Sequence, residues 1–226
     1  MRSPFQNLNK LQINKLFDLL NVHSYSFKKY EDILQTIKSE NIVCIVLKGE
    51  AQISYIEYNG NEIILENLTK FSVFGTNISG IDNDDCEIIS KTDSEILVIN
   101  YNDLLNPKNL NHVYFNIFLY NLFDITNNKF RESNKRIRIL EKKQIRDKLL
   151  EYFDIEYSEN PSKALYLPFS LKDLADYIAV NRSAMFRELK HLKDDRLIEI
   201  KNRKITLLYK WDKGGHPIFV SFFIEI

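Results

Sequence analysis

Between Pro107 and Pro161 the chain contains neither glycine nor proline, and this stretch constrains the fold more than any other feature. A long run of helix-forming residues, set between two regions of strand and turn texture, divides the chain into a front and a back part. Within it "VYFNIFLYNLFDI" (113–125) is apolar nearly all round, through Val113, Phe115, Ile117, Phe118, Leu119, Leu122, Phe123 and Ile125. Such a helix must be covered on more than one side. One side can lie on a front domain. The other calls for a second copy of the chain, giving a homodimer through residues 110–135, unless the helix is buried wholly in its own domain. Around 134–142, "NKRIRILEK", the apolar spacing shifts and charge rises, which predicts a hinge before a second helix, "KKQIRDKLLEYF". "SENPSKALYLP" then reads as loop.

In the front part, residues 8–20 place Leu8, Leu11, Leu16, Leu19 and Leu20 close to a helical stripe. From 22 to 101 the texture is β-rich: "IVCIVL", "AQISYIEY", "EIILENL", "SVFG" and "EILVINY", separated by "KGE", "NGNE" and "SGIDNDD". Asn59-Gly60, between two strand-like runs, is the strongest short hairpin signal in the chain. Many short strands at near-regular spacing predict a sandwich or barrel.

The 226 residues suffice for two compact domains. Lys+Arg and Asp+Glu balance at 31 each, but unevenly. Residues 1–110 carry 10 basic and 15 acidic groups, residues 111–160 carry 9 and 8, and residues 161–226 carry 12 and 8. A front of net −5 and a back of net +4 suggest that only the back is made for a polyanion. Cys44 and Cys86 cannot by themselves form a disulfide framework or a four-cysteine site, and they fit a reducing cytoplasm. The opening "MRSPFQNLNKLQINKL" lacks the apolar core of a signal peptide. The stretch 113–125, broken by Asn116, Asn121 and Asp124, is too short to span a bilayer, so the expectation is a soluble cytoplasmic protein with no membrane partner.

The back part carries the chemistry. In "FSLKDLADYIAVNRSAMFRELKHLKDDRLIEIKNRKITLL" (169–208), Ser170 and Asp173 have the spacing of a capping box opening a short helix. Leu171, Leu174, Ala175 and Ile178 form its apolar face, with Ala175 small where a second helix must come close. Asn181 suits the N-cap of that second helix, which buries Met185, Leu189 and Leu192. "LIEIKNRKITLL" alternates around a basic tip and predicts a hairpin. Helix, tight turn, helix and basic hairpin make the winged helix-turn-helix pattern. Arginine forks can take guanine O6 and N7 together, and Arg182 and Arg187, five apart, can address different base pairs. Ser170, Lys172, Lys201, Arg203 and Lys204 are expected near phosphates, where they hold register, and Asn181 and Lys190 are further candidate DNA contacts. Surface solubility is the competing role for the two arginines.

This segment resembles the DNA-binding domain of the Crp/Fnr superfamily, the bacterial regulators related to the cyclic-AMP receptor protein. The resemblance covers roughly residues 10–210, and "IVLKGEAQISYIEYNGNEIILENLTKFSVFG" (45–75) is similar to the family's β-roll, with Gly49, Gly60 and Gly75 at turns. It implies an α+β fold: an N-terminal β-roll sensor (1–106), a long dimerisation helix and hinge (107–140), a C-terminal winged helix-turn-helix (141–213) and an apolar tail (214–226). It also implies a homodimer on a pseudo-palindromic DNA operator, with RNA polymerase as a further partner and no enzymatic activity. The family's two base-reading arginines fall on Arg182 and Arg187, and the glutamate many members carry falls on Ser183. A hydroxyl there discriminates differently from a carboxylate accepting from cytosine N4.

The sensor departs from the family. Its cyclic-nucleotide cassette needs a Gly-Glu pair and an Arg-Ser pair. Here Gly75-Thr76 begins the first, and Asp84-Asp85 stand where the phosphate ligands belong. A carboxylate ~5 Å from a phosphate costs about 3 kcal/mol even at an effective dielectric of 20. The purine-contacting helix positions fall near Lys129 and Phe130. The degenerate pocket therefore comprises Gly75, Thr76, Asp84, Asp85 and Phe130, and cyclic-nucleotide binding is not expected. Two cysteines are too few for the family's iron–sulfur type. His23 and His112 read as structural rather than haem ligands, and the acidic neighbours of Cys86 disfavour its thiolate. "DNDDCE" (82–87) lacks the EF-hand order. No cofactor or metal is assigned. A regulatory module acting through protein contacts stands as the alternative, and no phosphate loop, zinc-binding histidine pair or nucleophile elbow points to an enzyme. "GGHPIFVSFFIEI" (214–226) is expected to add a strand, to dock, or to be a non-native extension.

Overall fold

The computed structural model describes residues 2–37, 41–56, 58, 62–76, 86–159, 161–162, 164–167, 170–211 and 217–219. The chain divides into two compact units, 1–129 and 130–226.

The first unit opens on α1 (Lys10–Leu19), started by an Asn9/Gln12 capping box. Strand β1 (His23–Phe27) and a short α2 (Ile33–Ile37) follow. Then come β2 (Ile42–Lys48), β3 (Ala51–Ile56), β4 (Glu62–Leu68), β5 (Val73–Phe74), β6 (Cys86–Ser90) and β7 (Ser94–Asn100). They form two antiparallel sheets, ordered β1-β7-β2-β5 and β4-β3-β6. The runs flanking the predicted Asn-Gly turn pair as β3 and β4, from Ala51 opposite Leu68 to Ile56 opposite Glu62. Asn59, Gly60 and Asn61 themselves lie outside the described residues.

The unbroken apolar texture of "IVCIVL" has a physical reason. Ile42, Cys44 and Val46 point into one core with Phe27, Ile53, Phe74, Ile88, Ile96 and Val98. Val43 and Ile45 point into a second core with Leu16, Leu20, Leu97, Ile99, Phe115, Phe118 and Leu122. Both faces of β2 are buried, so strict alternation of polar and apolar residues would be unfavourable there. Burial pushes the Cys44 thiol up to about 12, which removes it from thiolate chemistry. Gly49, at φ +82°, makes the β2–β3 turn. Leu11, expected on the apolar stripe of α1, is exposed; Leu16 and Leu20 carry the burial.

Beyond β7 come α3 (Tyr101–Leu104), a 3-10 turn (Pro107–Asn111) and the long helix α4 (Val113–Leu140). Phe115, Phe118 and Leu122 of α4 lie in the second core, while Val113, Tyr120 and Phe123 are exposed. The predicted hinge at 134–142 is corrected: the helix runs unbroken to Leu140, and the break comes at 141–144. Ile139, almost fully buried, anchors that last turn, whereas "EKKQ" offers nothing apolar to continue it.

The second unit adds α5 (Ile145–Glu159), β8 (Ala164–Tyr166), α6 (Leu171–Tyr177), α7 (Arg182–Asp194), β9 (Ile198–Lys201) and β10 (Lys204–Leu207). Its core gathers Phe153, Leu174, Ala175, Ile178, Met185, Leu189, Leu192, Ile198 and Ile205. The sheet order is β8-β10-β9, all antiparallel. Of the apolar tail, Pro217–Phe219 (β12) pairs with Tyr209–Trp211 (β11); 214–216 and 220–226 lie outside the described residues.

Candidate nucleic-acid interface

The site is built on α7, and its orientation begins in α6. Ser170 Oγ accepts from the Asp173 amide at 3.3 Å, and the Ser170 amide donates to Asp173 Oδ2 at 3.2 Å. The Ser170 hydroxyl donates to the same oxygen at 2.7 Å. These bonds, with the charges of Lys172 and Arg182, hold the Asp173 carboxyl below its ordinary range. At the other end of α6, cations from two helices meet the last carbonyls. Arg136 Nε of α4 donates to the Tyr177 carbonyl at 3.2 Å, with its guanidinium over the Tyr177 ring. Lys148 Nζ of α5 donates to the Ile178 carbonyl at 3.1 Å. Positive charge at a helix C-terminus is favourable.

The turn itself passes through Ala179 at φ +51°, a conformation that a Cβ disfavours. The Val180 amide closes it on the Ala175 carbonyl at 3.0 Å. Ala175 is fully buried at the close approach its size predicts. Asn181 then caps α7, its side chain accepting from the Ala184 amide at 3.3 Å. Arg146 ties α5 to α7, donating to Glu188 at 3.3 Å and to Asp195 at 2.7 Å.

What remains outward on α7 is a set of exposed groups. Met185, Leu189 and Leu192 are buried, while Asn181, Arg182, Ser183, Phe186, Arg187 and Lys190 are exposed. Among the described residues no hydrogen bond or ion pair occupies either Arg182 or Arg187. In the hairpin, Lys201 is exposed and lines a shallow cleft with Lys193, Ile200 and Lys204. Arg203 differs from the sequence expectation of a free phosphate contact. Its Nε and Nη2 donate to the Leu167 carbonyl at 3.3 and 2.8 Å, and the Leu167 amide returns a bond to the Arg203 carbonyl. That fork ties the wing to the residue after β8. Sequence reading missed this because the partner lies 36 residues away.

The degenerate sensor cassette is only partly described. A Cβ on Gly75 would meet the Ile42 carbonyl oxygen at 2.1 Å, so the glycine is dictated by packing whatever the ligand. Thr76 Oγ1 lies 3.5 Å from the Ile42 amide. Asp84 and Asp85 lie outside the described residues. Lys129 Nζ sits 2.6 Å from a Glu66 carboxylate oxygen of β4, and Phe130 is an exposed residue of the second unit. His23 Nδ1 is 2.8 Å from the Asn21 carbonyl, and His112 packs on Tyr114. Among the described residues no group of three or more His, Cys, Asp or Glu could hold a metal ion, and no helix is long and apolar enough to cross a membrane.

Comparison with known proteins agrees with this geometry. The cyclic nucleotide-binding domain family matches residues 25–106, and the Crp-like helix-turn-helix domain family matches residues 143–210. Among curated proteins no sequence matches. Among solved structures the chain is similar to CprK complexed with OCPA, at 14% identity and a TM-score of 0.58, covering 85% of this chain and 90% of that one. It is also similar to a CooA mutant from Carboxydothermus hydrogenoformans, at 19% identity and a TM-score of 0.54, covering 90% and 93%. At these identities the structures establish the fold. With a β-rich domain, a long helix and a helix-turn-helix in that order, and with both domain families matched, the chain belongs to the Crp/Fnr superfamily of DNA-binding transcription regulators.

Proposed function

We propose that the chain acts as a homodimer on a two-fold symmetric operator, with Arg182 and Arg187 of α7 reading bases. Asn181, Ser183, Ser170, Lys172, Lys190 and Lys201 are the further residues we assign to the interface, while Arg203 holds the wing in shape through Leu167. The observation that carries this is the exposed, outward pair of guanidinium groups at the start of a capped helix whose other face is buried. Neighbouring cations form hydrogen bonds or ion pairs with carboxylates or carbonyls; among the described residues these two form none. The dimer is supported by α4. Positions 113, 116, 120, 123, 127, 130, 134 and 137 alternate at spacings of three and four, and every one is exposed. Val113, Tyr120, Phe123, Phe130 and Ile137 make that seam apolar along most of its length, the spacing of two helices packed in parallel. Two copies joined there can present recognition helices about 34 Å apart, one DNA turn.

The β domain in this reading senses something other than a cyclic nucleotide, or has no ligand. Its cassette begins Gly75-Thr76 without the ribose carboxylate, and it carries Asp84-Asp85 where phosphate ligands belong. RNA polymerase is the downstream partner. The test is selection of bound genomic fragments by the full chain, followed by Arg182→Ala and Arg187→Ala binding at fixed salt. A palindromic site and a loss of about 1–3 kcal/mol for each variant are expected. Unchanged specific affinity in either variant would overturn the assignment.

A further inference from the structure

The outward arc of α7 holds one residue that neither phosphate nor guanine recognition calls for. Phe186 is 45% exposed. Among the described residues its ring stacks on no other aromatic side chain, and it is not among the apolar residues packed on the core of its unit. At 3.6 residues per turn, Arg182, Phe186, Lys190, Ser183 and Arg187 succeed one another around about 140° of helix circumference. The phenyl ring therefore sits inside the arc bounded by the two arginines, one turn along the axis from Arg182 and next in sequence to Arg187. Exposing a ring of that size to water is unfavourable, so a surface that covers it gains free energy.

The surroundings say what that surface is. Three exposed cations that form no hydrogen bond or ion pair among the described residues (Arg182, Arg187 and Lys190) flank the ring, which selects a polyanion over an ordinary protein face. In the major groove a duplex displays one apolar group, the C5-methyl of thymine. We propose that Phe186 reads a thymine in each half-site by packing its ring on that methyl, so that α7 specifies thymine as well as guanine. This rests on the assignment of α7 as the recognition helix. The thymine belongs to a base pair beside one contacted by Arg182 or Arg187.

The test uses the full-length protein and the operator recovered by selection, with each thymine replaced in turn by deoxyuridine, which removes the methyl alone. For the unaltered protein, one position per half-site should lose about fourfold in affinity, the worth of one buried methyl-sized group. Replacement in both half-sites should lose about fifteenfold if the two act independently. Phe186→Ala should bind the unmodified site more weakly and show no deoxyuridine penalty at that position, while Phe186→Leu keeps part of it. Because the side chain is exposed, both variants should melt with the parent. Indifference of the parent protein to every replacement would overturn the assignment, as would an unchanged deoxyuridine profile in Phe186→Ala. So would a Phe186→Ala variant with intact DNA affinity, the outcome expected if the ring contacted a protein instead. If the arginine variants lose specific affinity and Phe186→Ala does not, only the thymine contact fails. If all three bind normally, the recognition helix itself has been misassigned.

Discussion

The two compact units handle their polar groups in opposite ways. In the second, cations are abundant and divided in use. Arg136 and Lys148 hold the end of α6, Arg146 bridges to α7 and Arg203 secures the wing, yet among the described residues Arg182, Arg187 and Lys190 form no hydrogen bond or ion pair. In the first, the polar groups near the family's ligand cassette face the protein itself: Lys129 lies against Glu66, and Thr76 against the backbone of β2. A group held in reserve for a ligand is one the fold does not consume. By that measure the back of the molecule keeps its chemistry exposed, while the described part of the front has turned inward.

The sharpest way to break the comparison is at the seam of α4. Phe123→Glu removes an exposed ring and sets a carboxylate against its own copy. We expect about 3–5 kcal/mol off dimerisation, seen as monomers in sedimentation and as lost operator binding. Next, Gly75→Ala should cost about 1–3 kcal/mol of stability, because the added Cβ meets backbone 2.1 Å away; thermal unfolding reads it directly. A smaller effect separates free from consumed cations. Lys201→Ala should lower the salt slope of DNA binding by about 1, whereas Arg203→Ala should chiefly destabilise the wing by about 1 kcal/mol.

Smaller still is a pH effect at α6. The Asp173 carboxyl is held below its ordinary value of 3.8, first by the hydrogen bonds from Ser170. A depressed carboxylate contributes its stability fully above that ordinary value and loses it as pH falls through the lower, folded one. Acid titration should therefore fray α6 only at strongly acid pH, and Asp173→Asn should abolish that step. The smallest effect is expected from cyclic nucleotides: cyclic AMP added in excess should leave the melting temperature where it was.

Much of the second unit was legible because its signals are local. Ser170 with Asp173, and Asn181 ahead of Arg182, are caps decided within four residues, and the burial of Met185, Leu189 and Leu192 follows helical period. The strands flanking "NGNE" pair as read for the same reason. Leu11 shows where periodicity ran out: a position near the apolar stripe of α1 still faces solvent, because the helix meets its core through Leu16 and Leu20. The charge rise that begins at 134 marks no break before 141, and α4 ends at Leu140. A rise in charge resembles a break, but Ile139 finds a core to bury in.

What the amino acids determined by themselves is the order and type of elements, and the outward chemistry of α7, because propensity, capping and period act between near neighbours in the chain. Only the tertiary structure decided which face of α4 is buried, that Arg203 answers to Leu167, and that Lys129 answers to Glu66. Those pairings join residues far apart in sequence, and topology, rather than local pattern, brings them within bonding distance.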